Sequence, residues 1–218
     1  MRKSSNTGAD RTPVHIVVGM VAQTDGRRIR GDRTRQRVLE LASEVATLEG
    51  LGGLSLSHLG EALQLSKSGI HALFGTMEEL QLETVAAARL RFIKVVVTPV
   101  FGAPPGLPRL RALTLSWLDY IRRREFPGGC FVSRWSAELA SHPGRVHDAL
   151  VSAAREWRAL LEGEVLFAIE SGDLPADTDA PQLVFEIDAF LVAGNSGYQL
   201  GDPDALGRAE KAVLAKLG

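Results

Sequence analysis

Cysteine is almost missing from this 218-residue chain: Cys130 is the only one, so no internal disulfide can form, and a lone thiol suits a reducing cytoplasm. Long apolar runs are missing too. The stretch Pro13 to Ala22 falls far short of the roughly 20 residues that span a bilayer, and its flanks make a poor signal peptide. Charge of one sign is not in excess overall, since the formal net charge is −1, which excludes a uniformly basic nucleic-acid coat. No repeat, alternating strand pattern or low-complexity tract occurs. Zinc-ligand spacings, a phosphate loop and a serine-hydrolase elbow are likewise lacking. His142 and His147 stand five apart with Pro143-Gly144 between them, off the spacing that aligns ligands on one helix face. The sequence therefore points away from an enzyme, and it calls for no metal or cofactor.

What is present is helical periodicity and a local charge asymmetry. Arg27, Arg28, Arg30, Arg33, Arg35 and Arg37 are opposed within their stretch only by Asp32. Residues 1–31 read as a flexible tail, and a start at Met20 in place of Met1 is one expectation for it. From Thr34, a candidate cap, the residues Val38, Leu39, Ala42, Val45, Ala46 and Glu49 recur near a period of 3.6 and define one buried stripe. Gly50, Gly52 and Gly53 stop that helix. Ser55 caps the next, where Leu56, Leu59, Ala62 and Leu63 share a side. Ser66 caps a third, whose Ile70, Leu73 and Phe74 turn inward and leave Lys67, Ser68, Gly69, His71 and Ala72 outward. Helices this short are marginal alone in water and must pack on the first, giving a three-helix unit with a helix-turn-helix over 55–74.

These residues carry a resemblance. Thr34-Arg35-Gln36-Arg37-Val38-Leu39, Ala42, Gly50, Leu54-Ser55-Leu56, Leu59, Leu65-Ser66-Lys67-Ser68, Phe74 and Glu78-Glu79-Leu80 run in order, without gaps, and resemble the N-terminal domain of the tetracycline-repressor (TetR) family. The resemblance implies an all-α protein with a DNA-binding domain over residues 32–92 and a helical effector-binding and dimerisation domain over 93–218. It implies a cytoplasmic homodimer that binds a near-palindromic operator in double-stranded DNA and releases it on binding a small apolar or amphipathic effector, with no membrane partner. Arg33, Arg35, Arg37, Ser55, Ser57, Ser66, Lys67, Ser68, Gly69 and His71 are then the expected DNA contacts, through phosphate and base edges. Ser57 serves equally well as a simple capping residue.

The family pattern is not followed everywhere. Gln64 stands where the turn usually has glycine, which demands a left-handed conformation or an altered turn. His71, Leu73 and Met77 replace residues that often meet phosphate, so weaker or differently posed DNA binding is expected. A rival reading, a helical small-molecule-binding or interaction protein with a decayed DNA-binding domain, rests on Gln64, Leu73 and Met77.

The second half reads as further helices: Met77 to about Val97, Leu110 to the Arg122-Arg123-Arg124 end, Cys130 to Ala140, Val146 to Ser171, Gln182 to Leu200, and a last one ending at Leu217. Trp117, Tyr120, Phe131, Trp135, Trp157 and Phe167 lie on different helices and are candidate walls of an apolar effector cavity, each being an ordinary core aromatic otherwise. Phe185, Ala189, Val192, Ala193, Ser196 and Gly197 give the penultimate helix a small and apolar face suited to close approach by a partner helix. Cys130 lacks an activating base in the sequence and reads as a buried structural thiol. A thiol-based redox sensor is the alternative.

Overall fold

The structure, a computed structural model, describes residues 26–218. The Met20 start and the tail residues before position 26 lie outside the described residues. Among those described, every regular element is helical: α1 (Gly26–Glu49), α2 (Leu56–Leu63), α3 (Lys67–Phe74), α4 (Met77–Phe92), α5 (Leu107–Arg122), α6 (Phe131–Leu139), α7 (Arg145–Glu170), α8 (Ala180–Gln199) and α9 (Ala205–Lys216). None of them is long and apolar enough to cross a membrane.

Helix α1 begins earlier than the sequence suggests. Residues 26–31, read as tail, are already helical, and Thr34 is no cap: its hydroxyl donates to the Arg30 carbonyl one turn back at 2.9 Å. Arginine is a good helix former, so a turn with few apolar residues can extend a helix that packing anchors further along. That anchor is the stripe Val38, Ala42 and Ala46, all fully buried, with Ser43 and Thr47 beside it. Glu49, assigned to the stripe, is exposed.

Side chains cap other helix starts, and Ser66 is among the caps the sequence predicts. Ser66 Oγ accepts the Gly69 amide at 3.0 Å, Thr76 Oγ1 that of Glu79 at 3.1 Å, and Asp179 Oδ1 that of Gln182 at 3.0 Å. Between α2 and α3, Gln64 takes the left-handed conformation, with φ 56° and ψ 41°. Its amide closes the turn on the Glu61 carbonyl at 3.3 Å, and the Leu65 amide returns to Gly60 at 2.8 Å. A Cβ on Gly60 would stand 2.6 Å from the Leu65 carbonyl oxygen, so Gly60 is the glycine this turn cannot give up.

Helix α4 leaves α-geometry before its apolar pattern ends. Ile93–Val97 widen into a π-turn, and Thr98–Val100 follow as a 3₁₀ turn. Pro99 has no N–H to continue the ladder, and its ring opposes an α-helical turn before it.

Helices α8 and α9 pack closely. Virtual Cβ atoms on Gly194 and Gly197 would lie 2.6 Å from Ala209 Cβ and 2.8 Å from Ala205 Cβ. Gly197, grouped in the sequence with a partner-facing stripe, is thereby corrected to an intramolecular contact: the small residues let two helices of one chain approach. Urea unfolding checks the turn: Gln64→Gly is expected to stabilise the protein by about 1 kcal/mol by relieving the left-handed side chain, and Gly60→Ala to destabilise it by roughly 2 kcal/mol or more.

Candidate DNA-binding surface and effector cavity

Two short helices present the first candidate surface. Ser57, His58, Lys67, Ser68, His71 and Ala72 are exposed, while Leu59, Ile70 and Phe74 are buried behind them. Gly69 is half-buried, and Ser55 and Ser66 spend their hydroxyls on caps, Ser55 accepting the His58 amide at 3.5 Å. His58, absent from the sequence-derived candidates, stands 4.0 Å from Glu49 at the end of α1. Its exposure depends on how α2 rotates against α1, which no local pattern reports.

Arg33 and Arg37 are exposed on α1, but Arg35 is not available in the same way. Its Nε donates to Glu83 Oε2 at 2.8 Å, its terminal nitrogens reach Glu83 Oε1 and the Leu73 carbonyl, and the guanidinium stacks 4.6 Å from the Phe74 ring. Arg35, expected to contact DNA, is a clamp joining α1, the end of α3 and α4. A bidentate, stacked guanidinium holds planar geometry that lysine could not reproduce.

The second half forms a half-open cavity of about 590 Å³. Five helices each contribute an apolar wall: Phe92 from α4, Trp117 from α5, Phe131 from α6, Trp157 from α7 and Val192 from α8, with Ile93 and Val97 of the π-turn. The rings interlock edge to face, Phe92 meeting Trp157 at 5.4 Å and Phe131 at 6.2 Å. Of the six aromatics expected there, Trp117, Phe131 and Trp157 line it. Tyr120 instead packs in the core against Phe92, Trp117 and Phe126, and Phe167 is 45% exposed beside Gly106. Trp135 is fully buried on the far side of α6, where its indole N–H donates to the Ala46 carbonyl at 2.8 Å. Val192, assigned to the partner-facing stripe, also borders the cavity.

Polar residues reach the cavity mainly as pairs. Arg89 Nε donates to Glu156 Oε2 at 2.6 Å, and Arg158 Nε to Asp188 Oδ2 at 3.0 Å. Ser133 and Ser136 project from α6. Cys130 lies in the wall, and burial raises its thiol pKa, so the unreactive protonated form prevails at neutral pH.

Helix α6 has a second face turned to the N-terminal helices. Glu138 accepts the Leu51 amide at 2.9 Å and the Gly52 amide at 2.6 Å, and Arg134 donates to the Leu48 carbonyl at 3.2 Å. The preceding turn docks there as well. Gly128 donates to Thr47 Oγ1 at 3.2 Å, and a Cβ on it would come within 1.8 Å of the Thr47 carbonyl oxygen. Arg91 of α4 adds ion pairs to Glu44 and Glu125, each at 3.2 Å, and stacks on Phe126.

A capped helix pair with an exposed second helix, carried on a helical body that holds a half-open apolar cavity, defines a helix-turn-helix regulator. Residues 106–213 match the family model described as tetracyclin repressor-like, C-terminal domain. The chain belongs to the TetR family of transcriptional regulators.

Similar solved structures agree. A TetR transcriptional regulator from Chloroflexus aurantiacus superposes with a TM-score of 0.78 at 21% identity, over 87% of this chain and 94% of that one. AibR in complex with isovaleryl coenzyme A and operator DNA gives 0.67 at 19% identity, covering 84% and 96%. A cysteine mutant of the TetR-family regulator CifR, complexed with 26-bp double-strand operator DNA, gives 0.64 at 27% identity, covering 84% and 95%. No curated protein matches the sequence significantly.

Two measurements test these assignments. Arg35→Ala is expected to lower the melting temperature by several degrees, for a loss of about 1–3 kcal/mol, whereas Arg37→Ala leaves it within about a degree. Cys130 in native protein is expected to react with Ellman's reagent many-fold more slowly than in urea-unfolded protein; equal rates would contradict its burial.

Proposed function

We propose that the chain is a homodimeric, operator-binding repressor whose DNA affinity falls when a small molecule fills the 590 Å³ cavity. One observation carries this reading. The same two-and-a-half turns of α6 wall the cavity with Phe131, Val132, Ser133, Ser136 and Ala137 and grip the end of α1 with Arg134, Trp135 and Glu138. A ligand that shifts α6 must move or release the DNA-binding helices, and unequal affinity for the two arrangements is what allostery requires. The division into residues 32–92 and 93–218 follows the same line, with α4 running between the two parts.

On the DNA side, Lys67, Ser68 and His71 are the groove-facing residues, and Arg33 and Arg37 supply phosphate contacts. Arg35, Ser55 and Ser66 hold these groups in place instead of reading bases.

A second copy docks along α8. Phe185, Ala189, Ala193, Ser196 and Leu200 recur every three or four residues on one face, and Phe185 and Leu200 are 67% and 88% exposed. Two such faces placed together hold two α3 helices for two half-sites.

Fluorescence anisotropy with a duplex from upstream of the chain's own reading frame tests the repressor reading. Lys67→Ala is expected to weaken binding and flatten the salt slope by about one phosphate contact. Phe185→Glu with Leu200→Glu is expected to yield monomers by light scattering and to remove operator binding. Glu138→Ala, which unpairs the Leu51 and Gly52 amides, is expected to change DNA affinity at least about fivefold with helical content unchanged. A strictly monomeric wild type that ignores the duplex at low salt favours a ligand-binding protein with a decayed DNA-binding domain.

A further inference from the structure

Charge along α3 and the start of α4 is unbalanced. Residues 68–88 include Glu78, Glu79 and Glu83 and no lysine or arginine, although this stretch holds most of the exposed helix α3 and the turn into α4. Its cations come from elsewhere in the fold. Glu83 takes Arg35 of α1, while Glu78 and Glu79 take Arg145 from the start of α7, in the C-terminal half.

The Arg145 side chain is 60% exposed and meets both carboxylates through a single nitrogen. Its Nη1 donates to Glu78 Oε2 at 3.2 Å and to Glu79 Oε1 at 2.8 Å. A guanidinium has five N–H groups, two of them on Nη1. The other three, on Nε and Nη2, have no partner among the described residues. Nε and Nη2 form the edge that takes two oxygens side by side, as the same edge of Arg35 does with Glu83. Arg145 is thus held from one side and open on the other.

This group stands beside the DNA-binding face. Only Gly75 and Thr76 separate α3 from α4, so Phe74 and Met77 lie within about 11 Å of each other. His71, Ala72, Gly75, Thr76 and Glu78 are exposed, so the open surface of α3 continues onto the first turn of α4. Eight residues make α3 about 12 Å long, the width of a major groove, which brings a turn attached to its end against the phosphate wall. Two unpaired carboxylates there would repel phosphate within the roughly 8 Å over which salt leaves charges coupled.

We propose that Arg145 is a phosphate contact that the C-terminal half lends to the DNA-binding domain. Glu78 and Glu79 hold its Nη1, and its Nε–Nη2 edge takes the two free oxygens of one backbone phosphate. It supplies affinity and not sequence choice, because phosphate is the same at every base pair. This step rests on the operator-binding reading above.

Fluorescence anisotropy of the full-length protein over a range of salt concentrations, with the same upstream duplex and with an unrelated one, tests this contact. Arg145→Gln is expected to weaken binding about tenfold at low salt, alike on both duplexes, and to flatten the salt slope by about one phosphate contact per protomer. Its melting temperature is expected to stay within about two degrees of wild type, because an exposed ion pair adds little stability. Glu78→Gln with Glu79→Gln keeps oxygens that accept from Nη1 but removes the repulsion, so it is expected to tighten binding severalfold. A mere strut between α7 and α4 gives the opposite pattern: both variants weaken binding alike. That pattern, or an Arg145→Gln protein with wild-type affinity and slope, overturns the proposal; if Lys67→Ala still weakens binding, the operator reading stands. A wild type that binds neither duplex at low salt overturns the operator reading and this contact with it.

Discussion

The grip of α6 and the turn before it on the end of α1 is the constraint on which the rest of the molecule depends. Trp135 reaches a main-chain carbonyl, Glu138 accepts two consecutive amides, and Gly128 lies so close to the Thr47 carbonyl that no side chain fits. These are bonds between backbone and buried or half-buried side chains, so they fix position and not merely proximity. Without them the helix-turn-helix would hang from α4 alone. With them, the cavity wall and the DNA-binding helices form one mechanical piece.

The cavity exists because five helices meet around aromatic rings that stack edge to face without filling the centre. The π-turn at 93–97 contributes Ile93 and Val97 to its wall where Pro99 prevents an ordinary helical turn. Close packing is pushed elsewhere, onto the α8–α9 contact, where Gly194 and Gly197 bring two helices together. A tight seam beside an open chamber gives the second half one rigid side and one that can adjust.

Much of this was legible in the amino-acid order. The caps at Ser55 and Ser66, the need for a left-handed or altered turn at Gln64 and the break at Gly50 are local events, set by residues within a turn of one another. Site roles were less legible. Arg35 and Arg37 are indistinguishable as letters, yet one is clamped by Glu83, 48 positions away, and the other is free to face solvent. Trp135 and Trp157 look equally like cavity aromatics. They differ because α6 turns Trp135 toward α1 and α7 turns Trp157 toward the chamber.

The sequence by itself determined the helical composition, the order of most helices, the caps at Ser55 and Ser66, and the helix-turn-helix with its non-glycine turn, because periodicity and capping act over a few residues. Only the tertiary structure decided which arginine faces outward, which aromatics line the cavity, and which small residues face α9 instead of solvent. Those outcomes depend on how helices far apart in the chain are rotated against each other, and a single helix carries no record of its neighbour's angle.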